Sequence, residues 1–490
     1  MTQNTMLIFF AKCLILFGVF VNSTVMKKML LVFAVSIAFV SAAFSAEVIT
    51  YPAPITEKMQ SGYKIFANGK PVDVYKALSP DFKGGEYYFG YFDFSGDVEV
   101  KVVFLHNFKT PPELFPKRDF KVEGKNTIVF KADKPFQTCI LRTDRENDRE
   151  TPLIVFGNPI ETDRPSKNDP NVVYFGAGVH VVDKIELKDN QTLYIAGGAV
   201  VKGIVSAIEG KNITVRGRGI LSGELRERFS SRFVLFKACE NVKMEGVILK
   251  DTMTWTLVFE WCDKVEVDNV KICCSRMIND DGIDICNSSN VVVRNSFVRA
   301  QDDIIAIKGM WGKKACENIL VEDSILWTDR ANTFRFGFEC ETAAMRNITV
   351  RNCHIPFYSK DMRPPEHFWS NAIIWLQPAN EMPMNNINFE NLVIRSNGSD
   401  IIMLSAAPRI TNFRKSQKVG KVYDCTFKNI RVEGKKGNFN GLFYFKGFDA
   451  THEVKNFTFE NITYFGEKIT KNSPCVRIEG ENVSNIKFLP

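Results

Sequence analysis

Asn290-Val291-Val292-Val293 runs directly into Arg294-Asn295-Ser296. The same two phrases return as Asn318-Ile319-Leu320-Val321 with Glu322-Asp323-Ser324, and as Asn347-Ile348-Thr349-Val350 with Arg351-Asn352-Cys353. Working outward, the first phrase recurs at Asn212-Ile213-Thr214-Val215, Asn241-Val242-Lys243-Met244, Lys264-Val265-Glu266-Val267, Asn386-Ile387-Asn388-Phe389, Asn456-Phe457-Thr458-Phe459 and Asn485-Ile486-Lys487-Phe488. From position 212 to 386 the copies lie 29, 23, 26, 28, 29 and 39 residues apart. A period in the twenties with at least two strands per unit is the mark of a stacked solenoid, because one unit cannot bury its apolar face without its neighbours. The phrases lack the paired Leu of leucine-rich repeats and have no helical period, and a large β-sandwich would not repeat one phrase nine times. They predict a right-handed parallel β-helix whose coils stack about 4.8 Å apart. Apolar residues fill its bore, and corner Asn side chains hydrogen-bond from coil to coil. Insertions such as 355–384 would build walls on one face.

The chain is therefore expected to be all-β, an N-terminal β-sandwich followed by that helix. Residues 47–165 alternate apolar and polar in short runs, among them Tyr87 to Phe94 and Val98 to Phe104, with turns at Asn68-Gly69-Lys70-Pro71 and Ser95-Gly96-Asp97. Short, evenly spaced strands of this kind read as an antiparallel sandwich. Glu161-Thr162-Asp163-Arg164-Pro165-Ser166 reads as a linker, and 166–490 as the helix. Forty-one Phe among 490 residues suit a core of repeated flat layers.

Residues 1–46 form a targeting region. From Met26, itself a candidate start, Lys27 and Lys28 precede the apolar run Met29 to Val40 and the small-x-small site Ala43-Phe44-Ser45. That is the anatomy of a signal peptide and predicts a secreted or periplasmic protein. No later stretch is long and apolar enough to span a bilayer, so no membrane partner is expected after removal of the leader. The formal charge of +7 falls to +4 without Lys12, Lys27 and Lys28, too weak and dispersed to imply nucleic acid. Removing Cys13 leaves eleven Cys, an odd number. Cys239, Cys262, Cys286 and Cys316 precede similar strand starts, so stacked core thiols are expected rather than disulfides or a metal site. No cofactor is implied.

Two acidic groups interrupt the repeat. They are Asn279-Asp280-Asp281-Gly282-Ile283-Asp284 and Gln301-Asp302-Asp303-Ile304-Ile305-Ala306-Ile307-Lys308-Gly309. Asp281 and Asp302 are 21 residues apart, about one coil, which places one nearly above the other. Asp302 and Asp303 would face opposite ways on a regular strand and share a groove only at a bend. Three close carboxyls cannot all ionise freely, so one keeps its proton. A proton donor beside ionised partners that can activate water is what glycosidic cleavage needs. Ca²⁺ binding and solvated turns are the competing readings of the same residues.

These residues resemble the Asn-Thr-Asp-Gly-x-Asp … Asp-Asp-x-x-Ala-Ile-Lys signature of the polygalacturonase family, glycoside hydrolase family 28, over roughly 170–480. The resemblance implies an inverting hydrolase of the pectin-lyase-like superfamily acting on a pectic polysaccharide. It makes Asp302 the general acid, Asp281 and Asp303 the pair activating water, and Asn279 an orienting group. Two family features are missing. Arg330-Ala331-Asn332-Thr333 stands where members carry Gly-His-Gly, and no Arg-Ile-Lys follows residue 340. The dextranase and isopullulanase family, glycoside hydrolase family 49, is similar in keeping three Asp without that His behind an N-terminal sandwich. A neutral α-glucan is therefore the alternative substrate. A Ca²⁺-dependent polysaccharide lyase and a non-catalytic glycan-binding helix are rivals of other classes.

Around the cluster, Trp327 and Trp369 are candidate sugar-stacking residues, whereas Trp255 and Trp261 are expected to fill core. Lys308 and Arg335 could meet an acidic sugar or balance the carboxylates. Asp284 is expected to be a buried turn residue. His106, His180, His354, His367 and His452 match no motif and read as structural or surface.

Overall fold

The structure, a computed structural model, describes residues 46–59, 61–78, 86–143, 152–310, 312–358, 372–398, 402–410, 418–436 and 442–489. The expected leader, Trp311, His367, Phe368 and Trp369 lie outside these residues. Every described regular element is a strand.

Two sheets form the N-terminal sandwich. One joins Tyr63–Ala67, Lys70–Val72, Val98–Phe104, Lys121–Glu123 and Thr127–Ala132, and all its pairs are antiparallel. The other is built around the long strand Glu86–Ser95 and corrects the fully antiparallel expectation. Leu153–Pro159 runs parallel to Glu86–Ser95, with Leu153 beside Tyr88 and Pro159 beside Phe94. The cause is local: Leu153–Pro159 is already the antiparallel partner of Phe136–Leu141, which fixes its direction before it meets Glu86–Ser95. Glu86–Ser95 is buried on both faces, which its aromatic run from Tyr87 to Phe94, interrupted only by Gly90 and Asp93, explains.

One face of that strand packs into the sandwich core, where Phe92 and Phe94 meet Val100 and Phe130. The other face, with Tyr87, Phe89 and Tyr91, packs on Val200, Ile220, Ile248, Phe297 and Ile325 of the second region.

That second region is the parallel β-helix, and it begins earlier than the repeated phrase, at Val172–Phe175. Each coil contributes a strand to three parallel ladders. In one coil these strands are Ile283–Cys286, Ser289–Arg294 and Phe297–Ala300, and in the next Ile305–Gly309, Cys316–Glu322 and Ile325–Thr328. We call them the first, second and third ladders. The repeated phrase is the second ladder: Ile213, Val242, Val265, Val291, Ile319, Ile348 and Ile387 are successive partners in register. Asp424-Cys425-Thr426-Phe427 is a further copy, hidden in the sequence because Asp replaces the leading Asn, and it pairs with both neighbouring coils.

Corner asparagines hold the coils. Asn318, Asn347 and Asn386 donate Nδ2 to the Oδ1 of the Asn one coil below, at 3.0, 3.1 and 2.8 Å. A second column, Asp323, Asn352, Asn391, Asn429 and Asn461, is bonded likewise at 2.8–3.1 Å. Every one of these residues has φ of 50–57°. Asn tolerates this left-handed conformation better than other side chains and offers both a donor and an acceptor, so one residue type makes the corner and the link to the next coil. Inside, Phe389, Phe427, Phe459 and Phe488 stack at 4.5–5.2 Å between ring centres. The eleven described cysteines are all free and buried. Cys239 and Cys262 immediately precede second-ladder strands and Cys316 opens one, but Cys286 ends a first-ladder strand and packs on Met310.

Candidate active site

Both acidic groups fall where the chain leaves the third ladder and enters the first. Ile283 pairs with Ile305, Gly282 N donates to Asp303 O at 2.8 Å, and Ile304 N donates to Asn332 O at 3.0 Å. This register sets Asp281 beside Asp303 and Asp280 beside Asp302, one residue off the expected stacking of Asp281 on Asp302. The spacing of 21 counted a coil one residue short; this turn takes 22. Gly282 allows the tight approach, since a Cβ there would lie 2.7 Å from Ile304 O. Asp302 and Asp303 sit in a bend ahead of strand Ile305–Gly309, so both escape strand alternation.

The carboxyls differ in surroundings. Asp302 Oδ1 accepts Asp303 N–H at 3.0 Å and its Oδ2 accepts Asn279 N–H at 3.2 Å. Asn279 thus touches the cluster through its backbone, from φ of 62°. Asp303 Oδ1 accepts Asn332 N–H at 3.0 Å. Burial, reinforced by the Asp302 charge and opposed by Arg335, pushes the Asp303 carboxyl up to about 7. Asp281 Oδ2 accepts from Lys308 Nζ at 2.8 Å, while its buried Oδ1 has no hydrogen-bond partner. Burial raises Asp281 to about 6, with Lys308 working against the rise and Asp302 adding to it.

Lys308 lies 2.8 Å from Asp281, 2.8 Å from Asp284 and 3.4 Å from Glu339. Burial disfavours its charge, but the three carboxylates hold its pKa well above the usual lysine value. Lys308 therefore acts here as the counter-ion of the cluster. Asp284 is a fully buried residue of strand Ile283–Cys286, not a turn residue; apart from the Lys308 ion pair, neither of its oxygens has a hydrogen-bond partner. Asp280 is also fully buried and accepts four backbone N–H bonds, from Ser275 and Met277 on one oxygen and from Gln301 and Asp302 on the other.

Arg335 follows one coil later in the first ladder, in register with Ala306 and Trp375. Its guanidinium stacks 3.5 Å from the Trp375 ring centre and 4.9 Å from that of Phe338, and donates to Gln377 Oε1 at 3.1 Å. Trp255 is buried, as expected, and also borders the cluster, with Lys308 Nζ 3.5 Å and the Arg232 guanidinium 3.7 Å from its ring centre. Two cations that close to one centre must occupy opposite faces of the ring. Trp327 does not line the groove. It is 0% exposed, stacks on Phe357 and donates Nε1 to Asp329, because its third-ladder strand faces the sandwich. Arg232, Glu339 and Gln377 also adjoin the cluster, through Trp255, Lys308 and Arg335 respectively. Nothing but their register in neighbouring coils marks them.

The sequence model of Glycosyl hydrolases family 28 matches residues 180–326, which hold all three candidate carboxyls. A probable polygalacturonase of Arabidopsis thaliana is 27% identical over 121 residues, covering 24% of this chain and 25% of that protein. An endo-polygalacturonase of Pectobacterium parmentieri is 24% identical over 157 residues, covering 32% of this chain and 35% of that protein. The chain thus matches about a quarter to a third of the length of these relatives. Among solved structures, Dex49A from Penicillium minioluteum superposes with a TM-score of 0.67 at 14% identity, over 90% of this chain and 96% of that one. The chain accordingly resembles glycosyl hydrolases family 28 in the segment bearing its paired Asp phrases, and shares the sandwich-plus-helix course of Dex49A.

Proposed function

We propose that the protein is a glycoside hydrolase that cleaves α-glycosidic bonds of a polysaccharide with inversion of configuration. The observation that carries this reading is the convergence of Asp281, Asp302 and Asp303 at one corner of adjacent coils, with two of the three carboxyls raised towards neutrality. Asp302 protonates the leaving oxygen, and Asp281 and Asp303 take the proton of the attacking water, a division that needs one protonated and one ionised carboxyl together. Asn279, through its N–H, aims Asp302. Inversion predicts about 6.5–9.5 Å between acid and base carboxyls in the complex with substrate. The raised value of Asp303 favours a second division of roles, in which Asp303 is the donor; inactivation by Asp303→Asn with Asp302→Asn still active would select it.

The family match favours a pectic polymer. The engagement of Lys308 by three carboxylates favours a neutral α-glucan instead, because that ammonium is already neutralised and Gln377 and Trp375 carry no charge. Trp369 remains a proposed stacking residue. Reducing-end release from polygalacturonate, rhamnogalacturonan, dextran and pullulan, with Asp302→Asn as control, tests both points. A lyase would instead give products absorbing in the ultraviolet and stop on chelation. A cation at this cluster would have to displace the Lys308 ammonium from Asp281 and two N–H donors from Asp302.

We also propose export by the leader at 1–46; N-terminal sequencing of the protein from its native host should begin near residue 46. Among the described residues no helix is long and apolar enough to cross a membrane.

A further inference from the structure

We propose that the N-terminal sandwich is a working part of this site: through a buried chain of polar groups it fixes the two turns that carry Asp281, Asp302 and Asp303. The proposal rests on the reading of those carboxyls as the catalytic centre.

The chain starts on the sandwich strand Glu86–Ser95. Tyr87 is fully buried and donates its hydroxyl to Cys274 O at 2.7 Å, at the entrance to turn 274–282. The Tyr87 ring lies 4.1 Å from the guanidinium of Arg299, and the Trp327 ring lies 4.3 Å from it. Arg299 pairs with Asp329 at 2.9 and 3.3 Å, both side chains being 0% exposed. Asp329 accepts Ser275 Oγ–H at 2.5 Å and Trp327 Nε1–H at 3.0 Å. Ser275 N–H then donates to Asp280 at 2.8 Å, and the other Asp280 oxygen accepts the N–H groups of Gln301 at 2.6 Å and Asp302 at 3.1 Å. From sandwich to acid, each group holds the next.

Two features separate this from ordinary docking. The sandwich is already joined to the helix by apolar contacts, Phe156 against Phe297 and Phe89 near Ile220 and Ile248, and by a separate buried pair, Arg218 with Asp93, so a second buried Arg–Asp pair, lying wholly within the helix, adds a desolvation cost that adhesion does not call for. Ser275 has φ of 106°, outside the regions open to a residue with a Cβ, and is held there by its N–H bond to Asp280 and its hydroxyl bond to Asp329. Such strain persists only where the surroundings over-determine it. Tyr87, Arg299, Asp329, Ser275 and Asp280 are positioning residues and touch no substrate.

Ser275→Gly and Tyr87→Phe, made in the full chain, test the proposal. Gly relieves the φ strain while deleting the hydroxyl, and Phe keeps the ring under Arg299 while deleting the bond to Cys274. We expect Ser275→Gly to keep or raise Tm, to lower kcat about tenfold or more with KM within about twofold, and to speed amide exchange in both 275–282 and 301–304. Tyr87→Phe should shift the same quantities less. Unchanged exchange in both turns overturns the proposal, as does faster exchange with unchanged kcat. If the wild-type chain cleaves none of the four polysaccharides, the hydrolase reading has failed on that panel, while hydrogen exchange by mass spectrometry still decides whether the sandwich holds the turns.

Discussion

The β-helix has two kinds of corner. At the Asn corners, between the ladders, most coils repeat one solution, a left-handed Asn whose amide links to the coil above and the coil below, with Lys264, Asp323 and Asp424 keeping the conformation where Asn is replaced. At the corner between the third and first ladders no two turns are alike. There the chain buries Asp280, Asp281 and Asp329 and a strained Ser275, and the first-ladder strands that follow bury Asp284 and Lys308 beside them. The first corner satisfies its amides with the matching residue of the adjoining coils. The second combines donors of its own turn with unlike groups from other coils and from the sandwich. A solenoid can carry such a corner because the repeating one already holds the stack together.

Mutations should separate the two corners sharply. Asp302→Asn should lower kcat by about 10³-fold or more with little change in Tm, since the loss is of proton transfer rather than packing; steady-state kinetics and thermal melting read the two effects apart. Lys308→Met removes the one ammonium shared by Asp281, Asp284 and Glu339, leaving buried carboxylates uncompensated. It should cost about 3–5 kcal/mol in urea denaturation, and a cost below about 1 kcal/mol would show that these carboxyls carry protons instead.

The pH dependence is the next effect in size. Asp281 and Asp303 bind protons more tightly when folded, at about 6 and about 7, than the value of about 4 expected of an unfolded Asp. Their contribution to stability is therefore fully present below about pH 4 and lost as pH rises through about 6 to 7. Tm measured from pH 4 to 8 should fall across that window, and the fall should flatten in Asp281→Asn/Asp303→Asn. Activity should rise on the acid side as one base carboxylate is freed and decline as the last shared proton leaves, with apparent values belonging to the cluster rather than to single residues.

At the repeating corner, Asn391→Ala deletes one link up and one link down and puts a Cβ residue without local compensation at φ of 56°. It should cost about 1–2 kcal/mol and leave kcat unchanged. A large fall in kcat would break the distinction drawn between the corners.

The same contrast explains what could be read from the chain. The Asn phrases repeat because each coil solves the same local problem, so the helix and its Asn columns are visible as a period. Asp424 escaped notice by changing one letter of the phrase while keeping its φ of 57°. The acidic groups stood out as interruptions, but their register depended on a turn one residue longer than counted, which only the hydrogen bonds of Gly282 and Ile304 reveal. Trp327 was misplaced because a third-ladder residue faces either solvent or the sandwich, and no local pattern says which. Asp280 looks in the sequence like one more acid of the cluster. Its four N–H donors come from 275–302, and their convergence is a property of the packed turns.

Coil length has a consequence for how such a protein can change over time. The spacings of 23 to 39 residues leave the second-ladder register unbroken from Ile213 to Ile387. An insertion is thus absorbed within the coil that receives it, without displacing the coils beside it. In the 39-residue coil the surplus lies in sequence mainly between strands His354–Ile355 and Ala372–Gln377. A lineage can therefore lengthen or shorten the stretches between strands, over at least this range of coil lengths, while the ladders stay in register. Loop length and ladder register are, in this architecture, separately heritable traits.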